Sequence, residues 1–264
     1  MGDAKVIRKV LLIGAALALV ASGALAQDRE TLFQVSTLDA LLAGVYDPAI
    51  AIGELRRHGD TGLGTFTALD GEMVVLDGKV YQVRADGSVH RVLDRTGSPF
   101  AAVTFLDRDE EVRLAEPLDL KALTALALAR LPSRNLFCMM RLDGDFSYVK
   151  TRSVPRQHKP YPKLADVAAK QPTFEFHDVA GSLVCLYCPY FVAGANLPGC
   201  HWHFLNAART GGGHLLDCRL TRGTLWLDPT PRYLLSLPRS REFMQVQTAA
   251  PDTAGAQQVE HDHR

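Results

Sequence analysis

An excess of charge of either sign is missing from this chain: 29 Lys and Arg stand against 29 Asp and Glu in 264 residues. Nucleic-acid binding rests on neutralising phosphates with surplus bases, so no such partner is expected. A long hydrophobic run is missing too. The apolar stretch Val10 to Val20 falls short of the ~20 residues that a membrane helix needs. The glycine-rich segment His58-Gly59-Asp60-Thr61-Gly62-Leu63-Gly64-Thr65-Phe66 has no GxGxxG order and no Gly-Lys-Ser/Thr after it, which excludes the usual dinucleotide and phosphate loops. No internal repeat is present. Cysteines number five (Cys138, Cys185, Cys188, Cys200, Cys218), so they cannot all pair within one chain. Cys185 and Cys188 form a CxxC whose companions lack zinc-finger spacing. A local disulfide, buried thiols, or a thiol near a metal at Cys200 all remain open.

What is there begins with a leader. Lys5, Arg8 and Lys9 precede the apolar stretch, and Ala24-Leu25-Ala26 is a small-x-small cleavage signal before Gln27. Residues 1–26 therefore read as a secretory signal peptide, and the mature chain is expected to be exported, periplasmic or extracellular, with no membrane span after cleavage. Cleavage takes away three bases and one acid and leaves a net charge of about −2. The remaining length suits one large domain or two small packed ones.

Hydrophobic periodicity alternates between strand and helix along the mature chain. Ser36-Thr37-Leu38-Asp39 resembles a capping box ahead of an apolar helix face. Asp77-Gly78 and Asp86-Gly87 mark the hairpins of a meander. Leu120 to Leu131, capped by Asp119 and stopped by Pro132, predicts a helix, and its nearly all-apolar surface predicts burial between layers. Later strands are expected on both sides of turns at Asp143-Gly144, Asp178 to Gly181 and Thr221 to Thr224. The pattern is α+β: mixed or antiparallel sheets with covering helices, in two closely packed α/β subdomains (27–155 and 156–247), followed by a polar tail (248–264) of disordered composition.

Chemistry concentrates in Gly199-Cys200-His201-Trp202-His203-Phe204-Leu205 and Gly211-Gly212-Gly213-His214. In an extended strand His201 and His203 leave the same face. A glycine turn then brings His214 back toward them. Three neutral imidazoles can hold a divalent cation, usually Zn2+, and leave coordination positions open for a substrate. The metal site is expected near the junction of the subdomains. Glu72, at the mouth of a strand, would serve as an acid or base if it faced a cavity, and would otherwise be solvated. Thr65 at the exit of the glycine-rich loop is either a ligand contact or part of a tight turn. Arg152 offers a planar fork to a carboxylate, or is a surface arginine.

Taken in order, Gly59-Asp60-x-Gly62-Leu63-Gly64-Thr65-Phe66, Leu69-Asp70-Gly71-Glu72, Lys150-Thr151-Arg152, Gly199-x-His201-x-His203-Phe204-Leu205 and Gly212-Gly213-His214-Leu215-Leu216-Asp217 resemble the α-acetolactate decarboxylase family from about Leu32 to Val246. The resemblance implies conversion of 2-acetolactate, a small 2-hydroxy-3-oxo acid, into (R)-acetoin and carbon dioxide with zinc. It makes His201, His203 and His214 the zinc ligands, Glu72 the acid beside the metal, and Thr65 and Arg152 substrate contacts. It also implies a homodimer and a second glutamate from the C-terminus, where Glu260 matches in position among divergent neighbours. No motif for thiamine or pyridoxal phosphate accompanies these residues. Two other readings share the HxH signal. A cupin-like metal-dependent oxygenase or isomerase would carry a carboxylate a few residues beyond HxH, where this chain has Phe204 to Ala208. An exported non-enzymatic zinc-binding protein would have no organised Thr65, Glu72 and Arg152.

Overall fold

The computed structural model describes residues 28–247. The expected leader, the polar tail and Glu260 lie outside the described residues. No helix among them is long and apolar enough to cross a membrane.

Short strands build the first sheet: β1 (Thr31–Val35), β3 (Thr61–Thr65), β4 (Glu72–Leu76), β5 (Lys79–Val83), β6 (Val89–Arg91), β8 (Ala101–Thr104) and β15 (Arg232–Ser236). They lie in the order β15-β1-β8-β3-β4-β5-β6; β15 runs parallel to β1 and the other pairs are antiparallel. Asp77 and Gly78, both at positive φ, make the tight turn between β4 and β5. The two-residue strands β2 (Ile50–Ala51) and β7 (Gly97–Ser98) pair with each other.

Long strands build the second sheet: β11 (Phe137–Arg152), β12 (Thr173–Cys188), β13 (Gly199–Asn206) and β14 (Gly212–Thr230), with β9 (Glu110–Leu114) and β10 (Leu118–Asp119) beside β14. The path β14-β11-β12-β13 returns to β14 through a short β13–β14 ladder, so these strands close on themselves. The pairing crosses residue 155, because β11 before it bonds to β12 and β14 after it.

Three expected turns are not turns. Gly144 of β11 lies opposite Gly181 of β12 on one side and Gly223 of β14 on the other, so three strands pass uninterrupted through a row of glycines. A Cβ on Gly144 would come within 2.5 Å of the Arg222 carbonyl, and one on Gly223 within 2.8 Å of the Asp143 carbonyl. The glycines serve close approach between strands rather than chain reversal. Irregular register in β11 and β14 next to this row adds a local bend.

Alternation along the strands sets the layers. Val74 and Leu76 of β4 meet Met139, Val184, Leu186 and Leu205 of the second sheet in one core. Met73 and Val75 point the other way, toward Ile52 and Leu55 of helix α2 (Ile52–Leu55). Helix α1 (Leu38–Leu42), capped by Thr37 rather than Ser36, and α4 (Leu164–Ala168) meet around Tyr46, Phe100 and Val154. Helix α3 (Leu120–Arg130) is capped by Asp119 and covers the outer face of the second sheet. Only Leu123 and Ala127 of α3 are buried, against the expectation of burial between layers. It has the sheet on one side and no described layer on the other. A last short helix, α5, spans Arg241–Gln245. The architecture is α+β: antiparallel and mixed sheets, covering helices, and a histidine cluster where the two sheets meet.

Candidate metal and substrate site

The histidine cluster follows from strand geometry. On β13, Cys200, Trp202 and Phe204 enter the core beneath α3, while Leu205 joins the core between the sheets. His201 and His203 share the face of Leu205 and so look toward the first sheet. In the ladders His214 lies opposite His203 on one side and Arg152 on the other. Gly213, immediately before His214, has φ +132°, and a Cβ there would sit 2.3 Å from the Arg152 carbonyl. Glycine is needed there for β11 and β14 to bring Arg152 and His214 together.

The ring nitrogens converge. His201 Nε2 lies 3.1 Å from His203 Nε2 and 2.9 Å from His214 Nδ1. His203 Nδ1 donates to the Met73 carbonyl at 2.8 Å, which turns the lone pair of Nε2 inward. A tetrahedral zinc with bonds of ~2.0–2.1 Å holds its ligand nitrogens roughly 3.3 Å apart, close to the spacing found here. One His201 proton cannot serve two imidazoles at once, whereas a cation can accept from all three. The donor set therefore fits a divalent metal ion, and the group is the one His-rich cluster of ligating geometry among the described residues.

The first sheet supplies the other groups. Thr65 ends β3 and Glu72 begins β4, paired directly across the ladder. Glu72 Oε2 stands 3.7 Å from His203 Nε2. The Thr65 hydroxyl donates to the Gly71 carbonyl at 2.7 Å, so it offers lone pairs to anything bound beside it. Both residues are buried, as is Arg152. Thr65, Glu72, Arg152, His201, His203 and His214 all line one cavity that opens to solvent. Sequence reasoning missed Asn196, which lines the same cavity, and missed its apolar wall, where Leu38, Leu41, Phe100, Val154, Leu164 and Ala168 gather. The leucine spacing of α1 was visible, but nothing local to it indicated a cavity.

All five cysteines are buried and unpaired. Cys185 and Cys188 lie on opposite faces of β12, Cys185 in the core under α3 and Cys188 between the sheets, so the CxxC makes no local disulfide. Cys200 points away from the imidazoles for the same reason. Burial pushes the Cys185 thiol well above its ordinary range and that of Cys218 to about 12, which leaves both as protonated core residues.

Two packed sheets enclosing three imidazoles, a carboxylate and an arginine define a small-molecule site able to hold a metal. The family model for alpha-acetolactate decarboxylase matches residues 32–249. The chain is 46% identical over 218 residues to an alpha-acetolactate decarboxylase of Methanosarcina mazei, covering 83% of this chain and 76% of that one. It is 41% identical over 223 residues to that of Methylococcus capsulatus, covering 84% and 85%. The crystal structure of alpha-acetolactate decarboxylase from Bacillus subtilis strain 168 superposes with a TM-score of 0.86 at 34% identity, over 88% of this chain and 100% of that one. The chain belongs to the α-acetolactate decarboxylase family.

Proposed function

We propose that this chain is a zinc-dependent carboxy-lyase that converts (S)-2-acetolactate into (R)-acetoin and carbon dioxide, as in acetoin biosynthesis. The observation that carries the reading is the meeting of His201, His203, His214, Glu72, Thr65 and Arg152 around one cavity. A zinc-capture protein would need no such organised trio of threonine, glutamate and arginine beside its ligands.

His201, His203 and His214 would hold the ion. When bound, zinc supplies Lewis-acid stabilisation of the charge that builds on the ketone oxygen as carbon dioxide leaves. The chain's own groups do the rest. Arg152, whose fork matches a carboxylate, binds that end of the substrate and aims the bond to be broken. Thr65, its proton committed to Gly71, accepts from the substrate hydroxyl. The buried walls limit water, so charge on the departing group meets fixed dipoles instead of solvent. Loss of carbon dioxide leaves an enediolate, and Glu72 delivers a proton to one face of its carbon. Glu260 is the alternative donor that the family resemblance brings to the site.

Racemic acetolactate incubated with the mature protein, with and without a chelator, and followed by chiral chromatography, tests this. (R)-Acetoin that disappears with chelation is the expected result. Acetoin formed equally well without metal would defeat the zinc mechanism, and no acetoin from folded, zinc-loaded protein would defeat the function. The basic, apolar and Ala-Leu-Ala order of residues 1–26 further leads us to propose export; N-terminal sequencing of the mature chain should begin at Gln27, and an intact cytoplasmic chain would reject it.

A further inference from the structure

The cavity has two unlike sides. Strands supply every imidazole, Glu72, Thr65 and Arg152; α1 and α4 supply only Leu38, Leu41, Leu164 and Ala168. We infer that this helical wall reads the alkyl group on C2 of the substrate and sets the longest one the enzyme accepts. The inference rests on the decarboxylase reading above.

Chemistry dictates the orientation. The bond to the departing carboxylate must stand across the plane of the ketone, so that its electrons can flow into the carbonyl. With the hydroxyl and ketone oxygens toward the imidazoles and the carboxylate toward Arg152, the C2 alkyl group is left pointing from the strands to the helices. Leu38, Leu41, Leu164 and Ala168 are all buried and in one apolar cluster or beside it. A methyl or longer alkyl group gains by contact there, whereas a hydroxymethyl group would find no hydrogen-bonding side chain among the residues that the two helices set on the cavity and would lose its water.

The wall is also anchored apart from the metal ligands. The Leu38 and Asp39 amides donate to the Ala195 and Gly194 carbonyls at 2.9 and 3.0 Å. Gln34 Nε2 donates to the Ala195 carbonyl at 2.7 Å, and Asn196 Nδ2 donates to Gln34 Oε1 at 2.6 Å. Beside α4, Gly44 passes so near the Pro162 carbonyl that a Cβ would sit 3.0 Å from it. None of these bonds touches an imidazole. Wall and ligand set are therefore separable by substitution, and Leu164 and Ala168, one turn apart on α4, present the same helix face to the cavity.

The test measures kcat/KM for acetolactate and for its homologues with ethyl or propyl in place of the C2 methyl, using wild type, Leu164→Ala and Ala168→Leu, each checked for zinc content and thermal unfolding. One methylene in an apolar pocket is worth roughly 10-fold or more in discrimination. The propyl-to-methyl ratio should rise by about that factor in Leu164→Ala and fall by a similar factor in Ala168→Leu. Ratios that stay at the wild-type value in whichever of the two variants folds and holds zinc would overturn the inference. Wild type forming acetoin with unmoved ratios in the variants removes the wall alone; wild type forming no acetoin removes the activity and the wall together.

Discussion

The two sheets give the cavity different things. Strands of sixteen and nineteen residues in the second sheet bring Arg152 and His214 beside the His201 and His203 of β13. The first sheet, built of strands of five residues or fewer, offers Thr65 and Glu72 from the facing ends of β3 and β4. All the imidazoles thus belong to one sheet, and the carboxylate that would move a proton belongs to the other. Long strands paired on both sides fix ligand positions cooperatively, which suits a metal. Glu72 is paired on both sides as well, with Thr65 and Val83, but it opens its strand and has strand neighbours in one direction only. Holding the ion and performing the chemistry should come apart when one sheet is altered at a time.

The harshest break is His203→Ala. It removes a proposed ligand from the second sheet, and zinc should fall from about one per chain toward none, with acetoin formation down roughly 10³-fold or more. Metal analysis beside the activity assay reads both; undiminished zinc would remove His203 from the ligand set. Glu72→Gln attacks the first sheet instead. Zinc should stay while turnover drops by about 10²–10⁴-fold, because an amide cannot cycle a proton. Full turnover in that variant would shift the proton donor elsewhere, first to Glu260. Arg152→Lys keeps charge but loses the planar fork, and a rate loss of roughly 10–100-fold with little change in unfolding temperature is expected. Equal activity across substrate concentrations would take Arg152 out of the site.

The smallest effect serves as the control, because it lies at the far end of β14 from His214. Burial raises the Asp228 carboxyl to about 7, with the negative charges of Asp109, Asp107 and Glu30 adding to the rise and the Asp107 amide, which donates at 3.1 Å, opposing it. The folded state therefore binds a proton that the unfolded chain gives up near the ordinary value of 3.8. The sign is a stabilising contribution complete below about pH 4 and lost as pH rises through about 7. Asp228→Asn should flatten that decline in unfolding temperature, a matter of several degrees, and leave zinc content alone. Unfolding temperatures that decline by the same amount between about pH 4 and 7 in wild type and Asp228→Asn would reject it.

Much of the second sheet's contribution was legible because it is written locally. HxH in a strand must present both rings on one face, and Gly211-Gly212-Gly213 before His214 permits one return path. Glu72 and Thr65 were visible only as alternatives, since whether a carboxylate at a strand mouth meets solvent or a cavity depends on which sheet packs above it. The glycines at 144, 181 and 223 misled for a related reason. Each alone resembles a turn, and only their alignment across three strands, a matter of register between distant segments, makes them a crease. Helix α3 misled through composition: leucine and alanine fit a helix covered on one face as well as one covered on both. The Leu164 wall and Asn196 were out of reach, because their meaning comes from helices and loops that approach the cavity from separate parts of the chain.

Among the hydrogen bonds that join the two sheets, one reaches the histidine cluster. His203 of the second sheet donates to the Met73 carbonyl of the first, and that contact sets which nitrogen would face a bound ion. If the cluster holds an ion as proposed, metal affinity and the closure of one sheet on the other would be linked equilibria, each strengthening the other by the same free energy. Withdrawing the proposed ion would relax the demand on the tautomer and so loosen β4, while anything that pries β4 away would let His203 rotate or change its proton and weaken the grip on the ion. Ion release and the mobility of Glu72, one residue from Met73, would then rise and fall together, so a chain that lost its proposed metal would lose the aim of its proposed proton donor as well.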